Sequence, residues 1–154
     1  MPRAKNGAVE IEYESFGDTS APTILLINGL GSQMTRWPAP FCEQLAARGY
    51  RVIRFDNRDT GLSTWFQPGE RYSLSDMAAD AMAVLDAAGV DKAHIAGVSM
   101  GGMITQAVAI EHPGRVLSMT SIMSATGAPG TLDPTPEAGA VLTAAAPDPA
   151  ADYE

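Results

Sequence analysis

A chain of 154 residues with a net charge of −8 and 45% apolar content is long enough for one globular domain with a real core, and it is too acidic to hold nucleic acid by electrostatics. The single cysteine, Cys42, excludes an internal disulfide, and residues 1–17 carry no apolar stretch of the kind a secretion signal needs. With no long apolar run to cross a bilayer, the expected compartment is the cytoplasm and neither membrane nor nucleic acid is an expected partner.

The predicted elements begin with "AVEIEYE", in which Val9, Ile11 and Tyr13 alternate with Glu10, Glu12 and Glu14. This is the pattern of a half-buried strand with its acids facing water. Asn6-Gly7 before it is a tight-turn dipeptide, so a short first strand is expected to pair back as a hairpin. "TILLIN", residues 23–28, is a continuous apolar run that ends in Gly29-Leu30-Gly31, the signature of a buried parallel strand with a loop at its C-terminal end. Residues 38–48 read as a helix that opens on prolines and stops at Gly49. "YRVIRFD" is the next strand, with "NRDTGLS" as its exit loop.

Residues 73–88 give the clearest helix signal. Ser73 and Asp76 form a capping-box pattern, Leu74, Met77, Ala78, Ala81, Leu85 and Ala88 an apolar stripe, and Gly89 a stop. "AHIAGV" is a strand, "MGGMITQAVAIEH" a helix ended by Pro113, and "RVLSMTSIM", residues 115–123, one more strand. Strands and helices therefore alternate from residue 23 to 123, which implies parallel βαβ units with helices on both faces of the sheet. Beyond Met123 the chain turns rich in Pro, Ala and Gly, with a possible short helix over 136–146. The expected division is a core over residues 1–124 and a linker or the start of a cap over 125–154.

Chemistry concentrates in Gly97-Val98-Ser99-Met100-Gly101, a G-x-S-x-G pattern. Alone it arises by chance in roughly one chain of this length in twenty. Context selects the functional reading. A strand precedes it and a helix follows, so the turn between them is sharp and lifts the serine above the sheet. Ser99 is the expected nucleophile. The backbone N–H of Met100, at a helix N-terminus, is one expected oxyanion donor. The N–H of Leu30, in the loop after "TILLIN", is the other.

With these residues in view, "ILLINGLG", "VIRFDNRDTGLS" and "AGVSMGGMITQAVAIEHPGRV" resemble three successive signatures of the α/β-hydrolase superfamily, covering about residues 8–125. Within it, "GLGSQMTRWP" and "FDNRDTGLST" are most similar to bacterial serine esterases of the anthracycline-methylesterase type. The resemblance implies a doubly wound, mostly parallel sheet, a Ser–His–acid triad and no cofactor or metal. It matches Ser99 to the family nucleophile and Met100 and Leu30 to its oxyanion donors. Many members have His-Gly where this chain has Asn28-Gly29, and Gly where it has Asp59. Asp56 and Arg58 read as structural supports of the loop.

The base is harder to find. His94 precedes Ser99 by five residues, some 16 Å along a strand at ~3.3 Å per residue. His112 follows it by 13, about 20 Å along a helix at 1.5 Å per residue. Neither is expected to reach the serine, so the chain has no expected catalytic His. Asp133 is a weak candidate for the acid, and Asp148, Asp152 and Glu154 belong to the tail. The expectation is the nucleophile and oxyanion half of an ester hydrolase acting on a small-molecule ester. It is weak or inactive alone, with its C-terminal strands and His supplied by a second chain, or else self-associating. The alternatives are amide, carbon–carbon or perhydrolase chemistry on the same fold, or a non-catalytic binding protein that keeps the pocket. Dehalogenase and epoxide-hydrolase chemistry is disfavoured, because those relatives carry an acid at the position of Ser99.

Overall fold

In the computed structural model, residues 1–128, 130 and 135–144 are described. Six strands form one sheet in the order β1-β2-β4-β3-β5-β6. They are β1 (Arg3–Asn6), β2 (Val9–Phe16), β3 (Thr23–Ile27), β4 (Arg51–Phe55), β5 (Ala93–Val98) and β6 (Val116–Ile122). β4, β3, β5 and β6 run parallel, and β1 and β2 are antiparallel additions at one side. The helices are α1 (Ala39–Ala46), α2 (Leu74–Ala87), α3 (Met100–Glu111) and α4 (Pro136–Thr143). The mostly parallel, doubly wound sheet expected from the alternation is therefore observed. Among the described residues, no helix is long and apolar enough to cross a membrane.

Side-chain alternation along the strands sorts the core into two layers. Leu25, Ile27, Ile53, Phe55 and Ile95 pack under α2 and α3, against Met77, Ala81, Leu85, Ile104 and Val108. On the other face Leu26 and Val52 pack with Cys42, and Trp37 and Leu45 border them. The α2 start carries the full capping box, with Ser73 Oγ accepting from Asp76 N and Asp76 in turn accepting from Ser73 N. A helix that leads with unpaired N–H groups needs such partners, and here the sequence pattern and the geometry agree.

Three local expectations change. The hairpin turn is Gly7-Ala8, because Asn6 pairs with Val9, and Gly7 takes the positive φ of +60°. Glu12 does not face water: it is 3% exposed and held by Arg3 Nε at 2.8 Å. The loop leaving β4 lies over β2, with Ser63 Oγ accepting from Glu12 N and Thr64 N donating to Glu10 O. That cover comes from residues some fifty positions away, so strand periodicity cannot foretell it. Leu74 opens the α2 stripe but stays partly in water, at 39% exposure.

Strand order decides where a site forms. From β3 the chain winds to β4 on one side, and from β5 it winds to β6 on the other. The loops leaving β3 and β5 therefore diverge and open a crevice at their carboxyl ends, the place where ligands bind in open α/β sheets. Residues 28–33 and Ser99 lie on those two loops.

Candidate active site

Ser99 occupies the single residue between β5 and α3, with φ +56° and ψ −123°. A non-glycine residue held there costs on the order of 1–3 kcal/mol, and it persists only because its surroundings enforce it. The enforcement is visible. Ser99 N donates to Ile122 O of β6 at 2.9 Å, and Ser99 O accepts from Gly102 N at 2.9 Å. Three glycines give the clearance. A Cβ on Gly97 would sit 2.0 Å from Gly101 O, and one on Gly101 would sit 2.3 Å from Ile27 O. Gly102 abuts Ser124, whose Cβ would be 2.5 Å away. The first two were legible from spacing. The third admits the segment after β6, a contact the pattern alone does not reveal.

The hydroxyl of Ser99 is exposed and makes no hydrogen bond among the described residues. It borders an open cavity of about 360 Å³ lined by Ser99, Met103, Met123, Ser124 and Ala125. Met123 reaches this wall with a φ of +47° and 83% of its surface exposed. The lining carries no charged side chain. Across the crevice, Gly29 approaches so closely that a Cβ there would stand 3.1 Å from Ser99 Cβ and 3.6 Å from Ser99 Oγ. Neither the Leu30 N–H nor the Met100 N–H has an acceptor among the described residues. Met100 follows Ser99 directly in the chain, and Leu30 follows Gly29, the residue that faces Ser99 across the crevice. The Leu30 side chain itself points to solvent, at 75% exposure.

The loop leaving β4 braces this rim. Asp56 accepts from Met34 N at 2.6 Å and from Leu62 N at 3.3 Å. Arg58 donates to both oxygens of Asp80, at 2.7 and 2.8 Å, and its guanidinium lies near the rings of Phe66 and Tyr72. Burial opposes the Arg58 charge, but the Asp80 hydrogen bonds and charge outweigh it and raise the Arg58 pKa. Asp59 holds φ +59°, the reason a glycine serves well at this position, and its carboxylate caps Phe66 N at 2.6 Å.

Neither histidine approaches Ser99. His94 Nδ1 meets Ser118 Oγ at 2.8 Å, and its ring stands edge-on to Tyr50, on the α1 side of the sheet. His112 ends α3, at the far end of that helix from Ser99. Asp133 lies outside the described residues. Among the described residues, no group of three or more His, Cys, Asp or Glu side chains is placed to hold a metal.

Residues 22–153 match the family model described as the alpha/beta hydrolase fold. The chain is 41% identical over 116 residues to rhodomycin D methylesterase DauP of Streptomyces sp. (strain C5), covering 75% of this chain and 39% of that protein. It is 42% identical over 122 residues to the putative carbamate hydrolase RutD of Azorhizobium caulinodans, covering 79% and 44%. Among solved structures it is similar to Est816, described as an N-acyl homoserine lactone degrading enzyme, with a TM-score of 0.72 and 32% identity, covering 80% of this chain and 45% of that one. A 2-hydroxy-6-oxo-6-phenylhexa-2,4-dienoate hydrolase from Rhodococcus sp. strain RHA1 superposes with a TM-score of 0.77 at 26% identity, covering 91% and 50%. The chain spans about two fifths of the length of the curated relatives it matches.

Proposed function

The chain belongs to the alpha/beta hydrolase fold family, and from that premise we propose that it is the nucleophile and oxyanion half of a serine hydrolase of carboxylic esters. The observation that carries the reading is Ser99 itself: a strained serine, its hydroxyl unbonded, beside two free backbone N–H groups. In this reading Ser99 Oγ attacks the acyl carbon and gives up its proton to a base. The carbonyl oxygen takes the negative charge and is held by the Leu30 and Met100 N–H groups. The ester C–O bond then breaks, the alcohol leaves with the proton, and water hydrolyses the acyl-serine.

The base is a histidine that the described residues do not place at Ser99, and we assign it to a second polypeptide segment. Loss of one triad member costs several orders of magnitude in rate, while the oxyanion hole and binding keep some advantage over water. The chain alone is therefore expected to hydrolyse p-nitrophenyl acetate slowly, and a complementing C-terminal segment should restore the rate. Brisk turnover by the isolated chain that Ser99→Ala abolishes would show that a base is already present, and turnover that Ser99→Ala leaves intact would refute Ser99 as the nucleophile.

A carbamate carbonyl could be attacked by the same three groups, and the likeness to putative carbamate hydrolases supports that second reading. Side-by-side rates on matched p-nitrophenyl acetate and p-nitrophenyl carbamate separate the two.

A further inference from the structure

We propose that Asn28 is a positioning residue whose buried carboxamide sets the Leu30 N–H for the oxyanion, an inference that rests on reading Ser99 as the nucleophile. Asn28 is the first residue past the end of β3 and is fully buried. From there Asn28 Nδ2 donates to Gln33 O at 3.0 Å, tying together the two ends of the 28–33 loop. The backbone of Asn28 is fixed independently, because its carbonyl accepts from Asn57 Nδ2 at 3.1 Å and Asn57 is itself buried. Gly29 O accepts from Ser32 N at 3.3 Å, and Met34 N is anchored on Asp56.

Every tie on this loop therefore falls on residues 28, 29 and 32–34. Leu30 has none of its own: its side chain is in solvent and its N–H has no acceptor among the described residues. Where that N–H points is decided by the loop's ends, and the Asn28–Gln33 bond closes them.

The second sign is an unmet need. Asn28 Oδ1 is buried and has no hydrogen-bond partner. A buried acceptor without a donor opposes folding, so packing alone would favour an apolar residue of similar size, such as leucine. A buried carboxamide kept at that cost is explained by the donor on its other end. Gln33 is exposed, so its carbonyl can turn to water if the donor is removed, and the leucine variant should fold.

The test measures the Ser99-dependent hydrolysis of p-nitrophenyl acetate by the chain, as the difference between each protein and its Ser99→Ala counterpart. Asn28→Leu is expected to lower kcat by roughly ten- to hundredfold with KM little changed, the mark of a group felt in the transition state. Its melting temperature should hold or rise, opposite to what a merely structural role would give. Asn28→His, which restores a ring N–H, should recover part of the rate. Amide hydrogen exchange at Ser32, whose N–H is bonded to Gly29 O inside the loop, should quicken in Asn28→Leu while Leu25 keeps its protection. An Asn28→Leu rate equal to that of the parent, with a Ser99-dependent rate in both, overturns the role of Asn28 alone. The absence of any Ser99-dependent rate even with the complementing C-terminal segment present overturns this inference together with the reading beneath it.

Discussion

Two regions of the molecule are built on opposite terms: the rim above β3 and β5, and the border strand β6. At the rim, backbone carbonyls crowd the glycines, an L-residue is held at positive φ, and buried carboxylates and carboxamides fix the loops. Along β6, Leu117 is 50% exposed and Met119 is 46% exposed, on a strand without a charged residue. The opposite border shows that an edge can be guarded, for β1 carries Arg3 and Lys5 paired with Glu10 and Glu12. An apolar edge is a template for another chain, and charge on an edge blocks that pairing. The comparison teaches that the rim is fixed by contacts among its own residues, whereas β6 presents uncharged, half-exposed apolar side chains with no such guard.

The rim breaks most sharply at Gly101. Gly101→Ala brings a Cβ onto the backbone oxygens of Ile27 and Asn28, neither of which can step aside. The expected loss is about 4 kcal/mol or more, read from urea unfolding against the parent chain. Asp80→Ala comes next. It leaves the Arg58 guanidinium buried without its carboxylate and should cost about 3 kcal/mol. A loss within 0.5 kcal/mol would mean that water reaches Arg58 and that the rim is less closed than described.

The β6 border should respond in the reverse manner. Leu117→Lys with Met119→Lys is expected to change unfolding stability by no more than about 0.5 kcal/mol, since both side chains already meet solvent. It should, however, reduce association. Light scattering should show the parent chain self-associating, and the double variant moving toward the 16.1 kDa of a single chain. A parent chain that already scatters as a clean monomer would show that β6 needs no partner.

The smallest effect belongs to the start of α2. The Ser73 hydroxyl and backbone N–H hold the Asp76 carboxylate below its ordinary value. A folded pKa below the unfolded one gives stability that is present above about pH 3.9 and is lost as the pH falls through the folded value. Carbon-13 titration should place Asp76 below that figure, and Ser73→Ala should raise it part of the way, since the backbone N–H remains.

Much of the rim was legible before any coordinates. The G-x-S-x-G spacing, the strand before it and the helix after it locate the sharp turn at Ser99. The capping box at Ser73 and Asp76 needs only residues three apart. What stayed hidden depends on contacts distant in sequence. Glu12 looked solvent-facing because its cover comes from Arg3 and the loop after β4. Gly102 was an extra glycine until Ser124 lay against it. Asn28 showed in the sequence only as a departure from the family's His-Gly, since its bond to Gln33 and the bond from Asn57 appear only once the loops are folded.

The central claim is that Ser99 forms the covalent bond to the acyl group, and mass spectrometry after incubation with p-nitrophenyl acetate tests it most directly. With no histidine at Ser99 among the described residues, release of the acyl group by water should be slow, so the acyl-serine should accumulate. The account predicts one acetyl group per chain, mapped to the peptide that holds Ser99 and absent from Ser99→Ala. An acetyl group that maps elsewhere, or a Ser99→Ala chain acetylated as readily as the parent, would contradict it.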